Sequence, residues 1–316
     1  MNDNAMNEDT TIEVINGSRA EDVLKVVHEA FADRPVLDPP ATALEETVET
    51  IREALDAHGG LLVEHDGAPV GALLFEPRGR LLGLRRVGVL ASVRGLGVAA
   101  QMASRAREIA QELGFTGLEL EARVELPATI NFWRNLGYVE SERNGNRLAM
   151  LRMLPITHEL ETAEDTRDFG EHLAERLGPG DLLILTGDLG AGKTTLTQGI
   201  GTGLGVRGPV TSPTFVIARV HPSLSDGPDL VHVDAYRLGG TAELDDLDLD
   251  TDLDDAVTVV EWGEDLAESL SGDRLELRLK RSDSGEDTDV RTITLTPVGP
   301  RWRELDLGPV GSLTSG

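Results

Sequence analysis

The sequence predicts two α/β domains in tandem: a mixed sheet carrying helices, then a second α/β domain that ends in an antiparallel hairpin. Three observations lead there. Strand-like and helix-like segments alternate to about residue 153, and the pattern restarts around "LPIT". Each half contains an apolar strand that runs into a glycine-containing loop and then a helix, an order that α/β folds repeat. Each half also closes on a strand pair, Tyr138 to Met153 in the first and the two alternating runs "DRLELRLK" and "VRTITLTPV" in the second. A length of 316 residues suits about two domains of roughly 150 residues each. We expect them at residues 1–155 and 156–300, with 301–316 a flexible tail because little core-forming material follows Arg301.

In the amino half, "TIEVI" reads as a strand, with helices around Val23 to Phe31 and Ala43 to Leu55. "GLLVEHDGAPVGALLF" alternates about Asp66-Gly67, a hairpin signal in which glycine relieves a positive φ. An extended run from Leu81 to Leu90 follows. The next helix, from about Gly97 to Leu113, sets Val98, Met102, Ile109 and Leu113 on one side and stops at Gly114. After the strand "TGLELEAR", a short helix through "PATINFWRNL" ends at Gly137, and a last strand pair runs to Met153.

In the carboxyl half, Thr162 and Asp165 form a capping box, and Phe169, Leu173 and Leu177 recur at a spacing of four up to "GPGD". Strand "LLILT" enters a glycine loop, and the helix beyond it carries Leu196, Ile200 and Leu204 on one face. Strands "TFVIARV", "LVHVDAY" and "AVTVVEW" follow, and the final hairpin is joined by the polar loop "RSDSGEDTD".

Composition narrows the function. Net charge is −27, so the average surface repels phosphate backbones and a broad nucleic-acid footprint is not expected. The absence of cysteine excludes disulfides, thiolate zinc sites and cysteine nucleophiles. No apolar run approaches the ~20 residues that span a bilayer, and the acidic start "MNDNAMNEDTTIEV" is unlike a signal peptide. We therefore expect a cytoplasmic protein with no membrane partner. Lysine is nearly absent, at Lys25, Lys193 and Lys280 only.

One of those lysines sits in "LLILTGDLGAGKTTLTQ", where Gly187, Gly192, Lys193 and Thr194 satisfy G-x-x-x-x-G-K-[ST] between a strand and a helix. Loop glycines let successive N–H groups face one concavity, and the helix start adds its positive dipole end, so main chain holds the phosphates. The ATP-binding set expected is Gly187, Asp188, Leu189, Gly190, Ala191, Gly192, Lys193, Thr194 and Thr195. Lys193 supplies a movable charge for the β and γ phosphates, and the Thr194 hydroxyl suits one vertex of an octahedral Mg²⁺. Asp234 and Glu261 end two later strands, where a carboxylate lies beside the metal or orients a water. Lys193, Asp234 and Glu261 are thus the catalytic candidates, and Thr194, Glu261 and Asp234 the metal candidates. "VTSPTF", residues 210–215, can sense a γ-phosphate through a hydroxyl such as Thr214. Asp250, Asp252, Asp254 and Glu261 fall at calcium-loop spacing, but Asp255 stands where the turn needs glycine, so a solvated acidic segment is expected instead.

Taken in order, "GDLGAGKTTLTQG", "TSPTF", "HVDAYRL" and "EWGE" resemble TsaE, the P-loop ATPase family of bacterial tRNA threonylcarbamoyladenosine biosynthesis, over roughly Thr157 to Gly299. The resemblance implies ATP on Gly187 to Thr195, Mg²⁺ through Thr194 and Glu261 with Asp234 close by, and Thr214 in a switch loop. It implies that Trp262, Tyr236 and Arg237 belong to the nucleotide site or a partner surface. It also implies slow ATP hydrolysis in a complex with TsaB and TsaD, where tRNA is met only indirectly.

In the amino half, "VGVLASVRGLGVAAQMA" places Arg94, Gly97 and Ala99 in R-x-x-G-x-[GA] at a helix start, a pattern that binds pyrophosphate. With the order of elements around it and "ATINFWRNLGY", this half resembles the GNAT acetyltransferases over roughly residues 10–153. The resemblance implies acetyl-CoA as cofactor, its pyrophosphate on Arg94, Gly95, Gly97 and Ala99 and its pantetheine beside Val87 and Val89. Two positions depart from the pattern. Trp133 stands where many members carry a tyrosine acid, and Leu126 where an asparagine is common. Glu76, Glu119 and Glu121 are possible bases, though each also reads as a surface strand residue. The acetyl acceptor is not legible. Alternatives to an ATPase fused to an acetyltransferase-like domain stay open: a nucleotide-dependent partner-binding switch, or an N-acetyltransferase as main activity beside a small-molecule kinase-like P-loop domain.

Overall fold

The computed structural model describes residues 9–35, 37–213, 218–237, 254–264, 266–281 and 290–306. The chain divides into two compact units, Met1–Leu154 and Pro155–Gly316.

The amino unit runs β1 (Thr10–Ile15), α1 (Ala20–Ala32), α2 (Val48–His58), β2 (Gly60–His65), β3 (Ala68–Arg78), β4 (Leu81–Val89), α3 (Val98–Glu112), β5 (Gly117–Arg123), α4 (Pro127–Asn135), β6 (Val139–Asn144) and β7 (Arg147–Met153). Among the described residues its sheet has the order β1-β2-β3-β4-β5-β7-β6. Neighbours are antiparallel except β4 and β5, which are parallel. Strand alternation sends Leu61 and Val63 to the face covered by Met102, Ile109 and Trp133, and Leu62 to the face covered by Val23, Val27 and Ile51. Apolar cores therefore lie on both sides of the sheet.

Pairing of β4 with β5 stops at Leu84 and Leu120, although the strands continue to Val89 and Arg123. The two strands share no ladder bonds over those last residues, and a cleft opens there. A bulge between Ala72 and Leu74, opposite Arg86 at φ 53°, bends the same stretch.

The carboxyl unit runs β8 (Ile156–Leu160), α5 (Ala163–Ala174), β9 (Leu182–Thr186), α6 (Lys193–Gly203), β10 (Ala218–His221), β11 (Asp229–Asp234), β12 (Ala256–Glu261), β13 (Arg274–Arg281) and β14 (Arg291–Val298). Its sheet order among the described residues is β10-β11-β12-β9-β13-β14-β8. Central β9 is parallel to both β12 and β13, so the loop after it leaves from the sheet's middle. Helices α5 and α6 pack in contact, because a Cβ on Gly199 would strike the Arg167 carbonyl. The capping box holds: Thr162 Oγ1 accepts from Asp165 N–H at 3.0 Å and Thr162 N–H donates to the Asp165 carboxylate at 2.8 Å.

Several expectations are corrected. The second helix begins at Val48, because Thr47 caps it and residues Thr42–Glu45 form a separate 3-10 turn. Leu113 is 66 % exposed at the end of α3, not on its buried side. Leu177 lies beyond α5, which ends at Ala174. The tail expected from Arg301 is packed in its first six residues: Trp302 and Leu305 are buried in the carboxyl core. Residues 307–316 lie outside the described residues, as do 214–217 of the expected strand "TFVIARV" and the hairpin loop 282–289.

Candidate functional site

In the carboxyl unit the buried central strand β9 delivers the glycine loop to the carboxyl ends of the parallel strands. Gly187 has φ 139°, and a Cβ there would strike the Leu279 carbonyl of β13, so only glycine lets the loop leave the strand at this point. The first backbone bond of α6 runs from Leu196 N–H to the Gly192 carbonyl at 2.9 Å. The N–H groups of Lys193, Thr194 and Thr195 accordingly have no intrahelical acceptor and are free for an anion. Asp188, Leu189 and Gly190 are exposed at the loop tip, Leu189 at 91 %, while Ala191 is buried beneath it.

Lys193 is buried. Its Nζ donates to the Gly187 and Asp188 carbonyls at 2.7 and 3.1 Å and lies 3.7 Å from the centre of the Trp262 ring. Burial pushes its ammonium below the ordinary value, against the opposing pull of Glu261, Asp234 and Asp188. Trp262 itself has φ 63°, an unusual conformation for a bulky residue, held by its N–H bond to the Leu185 carbonyl at 2.9 Å. Exposed Tyr236 meets the indole at 5.2 Å between ring centres.

Parallel pairing of β11 and β12 sets Asp234 directly beside Glu261. Thr194 Oγ1 donates to Glu261 Oε1 at 3.0 Å, and His232 Nε2 meets the same oxygen at 2.9 Å. Ser212 Oγ donates to Asp234 Oδ2 at 3.2 Å, and Tyr236 N–H donates to Asp234 Oδ1 at 3.2 Å. Thr194, Ser212, Asp234, Tyr236 and Glu261 border a cavity of about 380 Å³ that Gly192, Thr195 and Arg291 also line, with His232 buried behind Glu261. The donor set is one hydroxyl and two carboxylates, all oxygen, as a hard divalent cation requires. Among the described residues no group of three or more His, Asp or Glu is placed to hold a metal ion.

Lys193, Thr194, Asp234 and Glu261 thus converge, together with the loop. Thr214 and most of the acidic segment, Asp250 and Asp252 included, lie outside the described residues. Glu261 sits in a strand facing Thr194, not in a calcium loop. His232 is the residue that sequence reasoning missed. It is two positions before Asp234 on one strand, a spacing that puts both on one face. Arg291 gave no local signal, since it reaches the site from β14.

In the amino unit, Arg94 lies before α3, and its Nη2 is 2.5 Å from Asp33 Oδ2. Gly95 and Gly97 hold φ of 86° and 78°, and Gly97 caps α3. The first backbone bond of that helix joins Gln101 N–H to the Gly97 carbonyl at 3.0 Å, leaving the N–H groups of Val98, Ala99 and Ala100 without intrahelical acceptors. Val87 and Val89 lie on the stretch of β4 that β5 does not pair. The cleft holds a cavity of about 440 Å³ that includes Val87, Leu126, Trp133, Glu76, Glu119 and Glu121. Burial would raise the Glu76 carboxyl, but hydrogen bonds from Arg78 and Arg85 and their charges outweigh it and hold it below the ordinary value. Tyr138 meets Trp133 edge-on at 5.0 Å, and burial raises its hydroxyl above the ordinary value.

Comparison with known proteins agrees with both halves. Residues 160–291 match the family model described as threonylcarbamoyl adenosine biosynthesis protein TsaE, and residues 25–138 match that of the acetyltransferase (GNAT) family. The tRNA threonylcarbamoyladenosine biosynthesis protein TsaE of Streptomyces coelicolor is 61 % identical over 142 residues, 45 % of this chain and 96 % of that protein. Its namesake from Mycobacterium bovis is 52 % identical over 143 residues, 43 % and 84 % of the two chains. Among solved structures, the PaiA N-acetyltransferase of Thermoplasma acidophilum in complex with coenzyme A is 14 % identical, covers 46 % of this chain and 99 % of that one, and gives a TM-score of 0.40.

Proposed function

This chain belongs to the TsaE family and carries a GNAT-family domain ahead of its TsaE half, and on that premise we propose that the carboxyl unit binds and hydrolyses ATP with Mg²⁺. The chain is a TsaE-type component of tRNA threonylcarbamoyladenosine biosynthesis fused to an acetyltransferase-like domain. The observation that carries the ATP reading is the Thr194 hydroxyl on Glu261 at 3.0 Å, beside three free helix-start N–H groups and a buried lysine.

Gly187 to Thr195 would cradle the phosphates through main-chain N–H groups. Lys193 would exchange the Gly187 and Asp188 carbonyls for β- and γ-phosphate oxygens, which neutralise it better. Thr194 and Glu261 would hold Mg²⁺, with Asp234 positioned next to it by Ser212. A metal held by Thr194 and Glu261 would supply positive charge to offset the negative charge that develops on the phosphates during hydrolysis. Glu261 or Asp234 would orient the attacking water, and His232 fixes the Glu261 carboxylate. Thr214 would complete the site from the segment that follows Pro213.

We take the partners to be TsaB and TsaD, with tRNA met through them, since a net charge of −27 disfavours direct backbone contact. That setting is cytoplasmic. Isothermal titration of the full chain with MgATP, compared with K193A, tests the site: loss of binding in the variant is expected, and equal binding overturns it. A switch reading also has an observation in its favour, the stacking of Lys193 on Trp262, whose indole meets exposed Tyr236, a contact that Lys193 would leave on reaching phosphate. Capture of TsaB and TsaD by E261A in MgATP, with tRNA modification persisting, would favour that reading over turnover.

For the amino unit we propose acetyl-CoA as the acyl donor. The pyrophosphate would lie on the N–H groups after Arg94, Gly95 and Gly97 and at Ala99, and the pantetheine along Val87 and Val89, where β4 has backbone groups that β5 leaves unpaired. Trp133 offers no proton, so proximity in the cleft would have to carry most of the rate.

A further inference from the structure

The cavity of the amino unit is far more basic than the rest of this acidic chain. Arg34, Arg78, Arg85, Arg86, Arg123 and Arg147 line it, against Glu76, Glu119 and Glu121. Each of those carboxylates already faces a guanidinium. Glu76 accepts from Arg78 and Arg85 at 2.7 Å each, Glu119 from Arg78 at 3.2 Å and Glu121 from Arg147 at 3.4 Å. Arg86 donates to Glu46 at 2.7 Å and Arg123 to Glu125 at 2.8 Å, both carboxylates that do not line the cavity.

Arg34 differs from the other five. Its Nη2 donates to the Val87 carbonyl at 3.0 Å, and its guanidinium carbon lies 3.6 Å from the centre of the Phe31 ring. No carboxylate among the described residues comes within ion-pair distance of it. Burial first, and the Arg94 charge second, push it down to about 10, so it remains a cation at neutral pH. A half-buried cation without a counter-charge is unfavourable until an anion arrives. Arg94 to Ala99 do not line this cavity, although the Arg94 charge reaches Arg34.

We propose that the amino unit acetylates an amine bearing a carboxylate close to its nitrogen, and that Arg34 is the specificity residue that binds this carboxylate. The inference rests on acetyl-CoA being the donor. In the transfer the amine nitrogen attacks the acetyl carbonyl carbon. A C–N bond forms, the C–S bond breaks, and the proton lost by the nitrogen ends on the departing thiolate as coenzyme A thiol. Surrounding guanidiniums also favour the neutral amine over its ammonium form, which lessens the need for a base among the occupied glutamates. The same charges repel polycationic acceptors.

Release of coenzyme A thiol can be read directly on the full chain with a thiol reagent, since the protein has no cysteine. Acceptors are free L-glutamate and three peptide amides that differ only in beginning with glutamate, alanine or lysine. We expect kcat/KM for the glutamyl peptide, for L-glutamate or for both to exceed that for the lysyl peptide by about tenfold or more, the scale of one charge-assisted hydrogen bond. Which of the two is used identifies a peptide end or a free amino acid as the source. R34Q should collapse the glutamyl-to-alanyl ratio about tenfold, mainly through KM, and R34K should keep most of it. Thermal melts of both variants check folding. A lysyl preference, no turnover of any acceptor, or a ratio unmoved by R34Q overturns the proposal. Titration with acetyl-CoA separates the failures: uptake without acidic preference sinks the acceptor assignment alone, and no uptake sinks the donor reading beneath it.

Discussion

At the scale of single residues, the decisive contact is the shared oxygen of Glu261. Thr194 and His232 both bond Glu261 Oε1, so the carboxylate is fixed before any ligand arrives. Removing a partner that orients a ligating group costs about 10- to 100-fold in activity or metal affinity. H232A should therefore lower phosphate release about tenfold or more, while nucleotide affinity in the absence of Mg²⁺ stays within about threefold. Steady-state ATPase assays and Mg²⁺-free calorimetry check both halves of that expectation. Lys193 and Thr194 were legible from their spacing alone, because the phosphate loop is a contiguous stretch whose chemistry is set by local backbone. Arg34 was not, because its meaning depends on which carboxylates fail to reach it across the cleft.

Among the elements, packing of α5 on α6 depends on the absence of side chains. A Cβ on Gly199 would strike the Arg167 carbonyl, which belongs to backbone and cannot yield as a flexible side chain would. G199A should destabilise the carboxyl unit by about 1 to 3 kcal/mol in denaturant unfolding, the usual cost of overpacking. Strand β8 adds a pH dependence. His158 is buried against Phe169 with its Nε2 unpartnered, and burial lowers its imidazole below the ordinary value. The unfolded chain then binds the proton more readily than the folded one, so this stability is present above about pH 6.5 and is lost as pH falls below it. Melting of the carboxyl unit between pH 8 and 5 should fall in the lower range, and H158F should flatten the fall. Most strands and helices could be read from period and caps, since those signals are local. Helix ends were read less well: Thr47 capping and the exposure of Leu113 depend on what the termini meet.

For the whole molecule, each unit has its own sheet, its own apolar clusters and its own candidate ligand. A ligand that binds only the folded state stabilises it by about 2.7 kcal/mol at a hundredfold excess over Kd. Calorimetric unfolding should then show MgATP raising the melting of one unit and acetyl-CoA that of the other. Hydrogen exchange with each ligand would place the protection in residues 155–306 and 9–154 respectively. Protection in the wrong unit would contradict the assignment of ligands to halves.

By itself, the sequence determined that two α/β units follow one another, that a glycine-rich loop of the phosphate-binding pattern runs from Gly187 to Thr195 between a strand and a helix, and that a second helix-start loop lies at Arg94 to Ala99. Those features are runs of neighbours, and local sterics, hydrogen bonding and periodicity suffice to specify them. Tertiary structure decided that Asp234 and Glu261 stand side by side, that His232 joins them, and that Trp302 belongs to the core. It also decided that six arginines line one cleft and that, among the described residues, Arg34 alone of the six has no carboxylate within ion-pair distance. Such facts concern distances between segments far apart in the chain, which depend on strand register and on where the sheet opens.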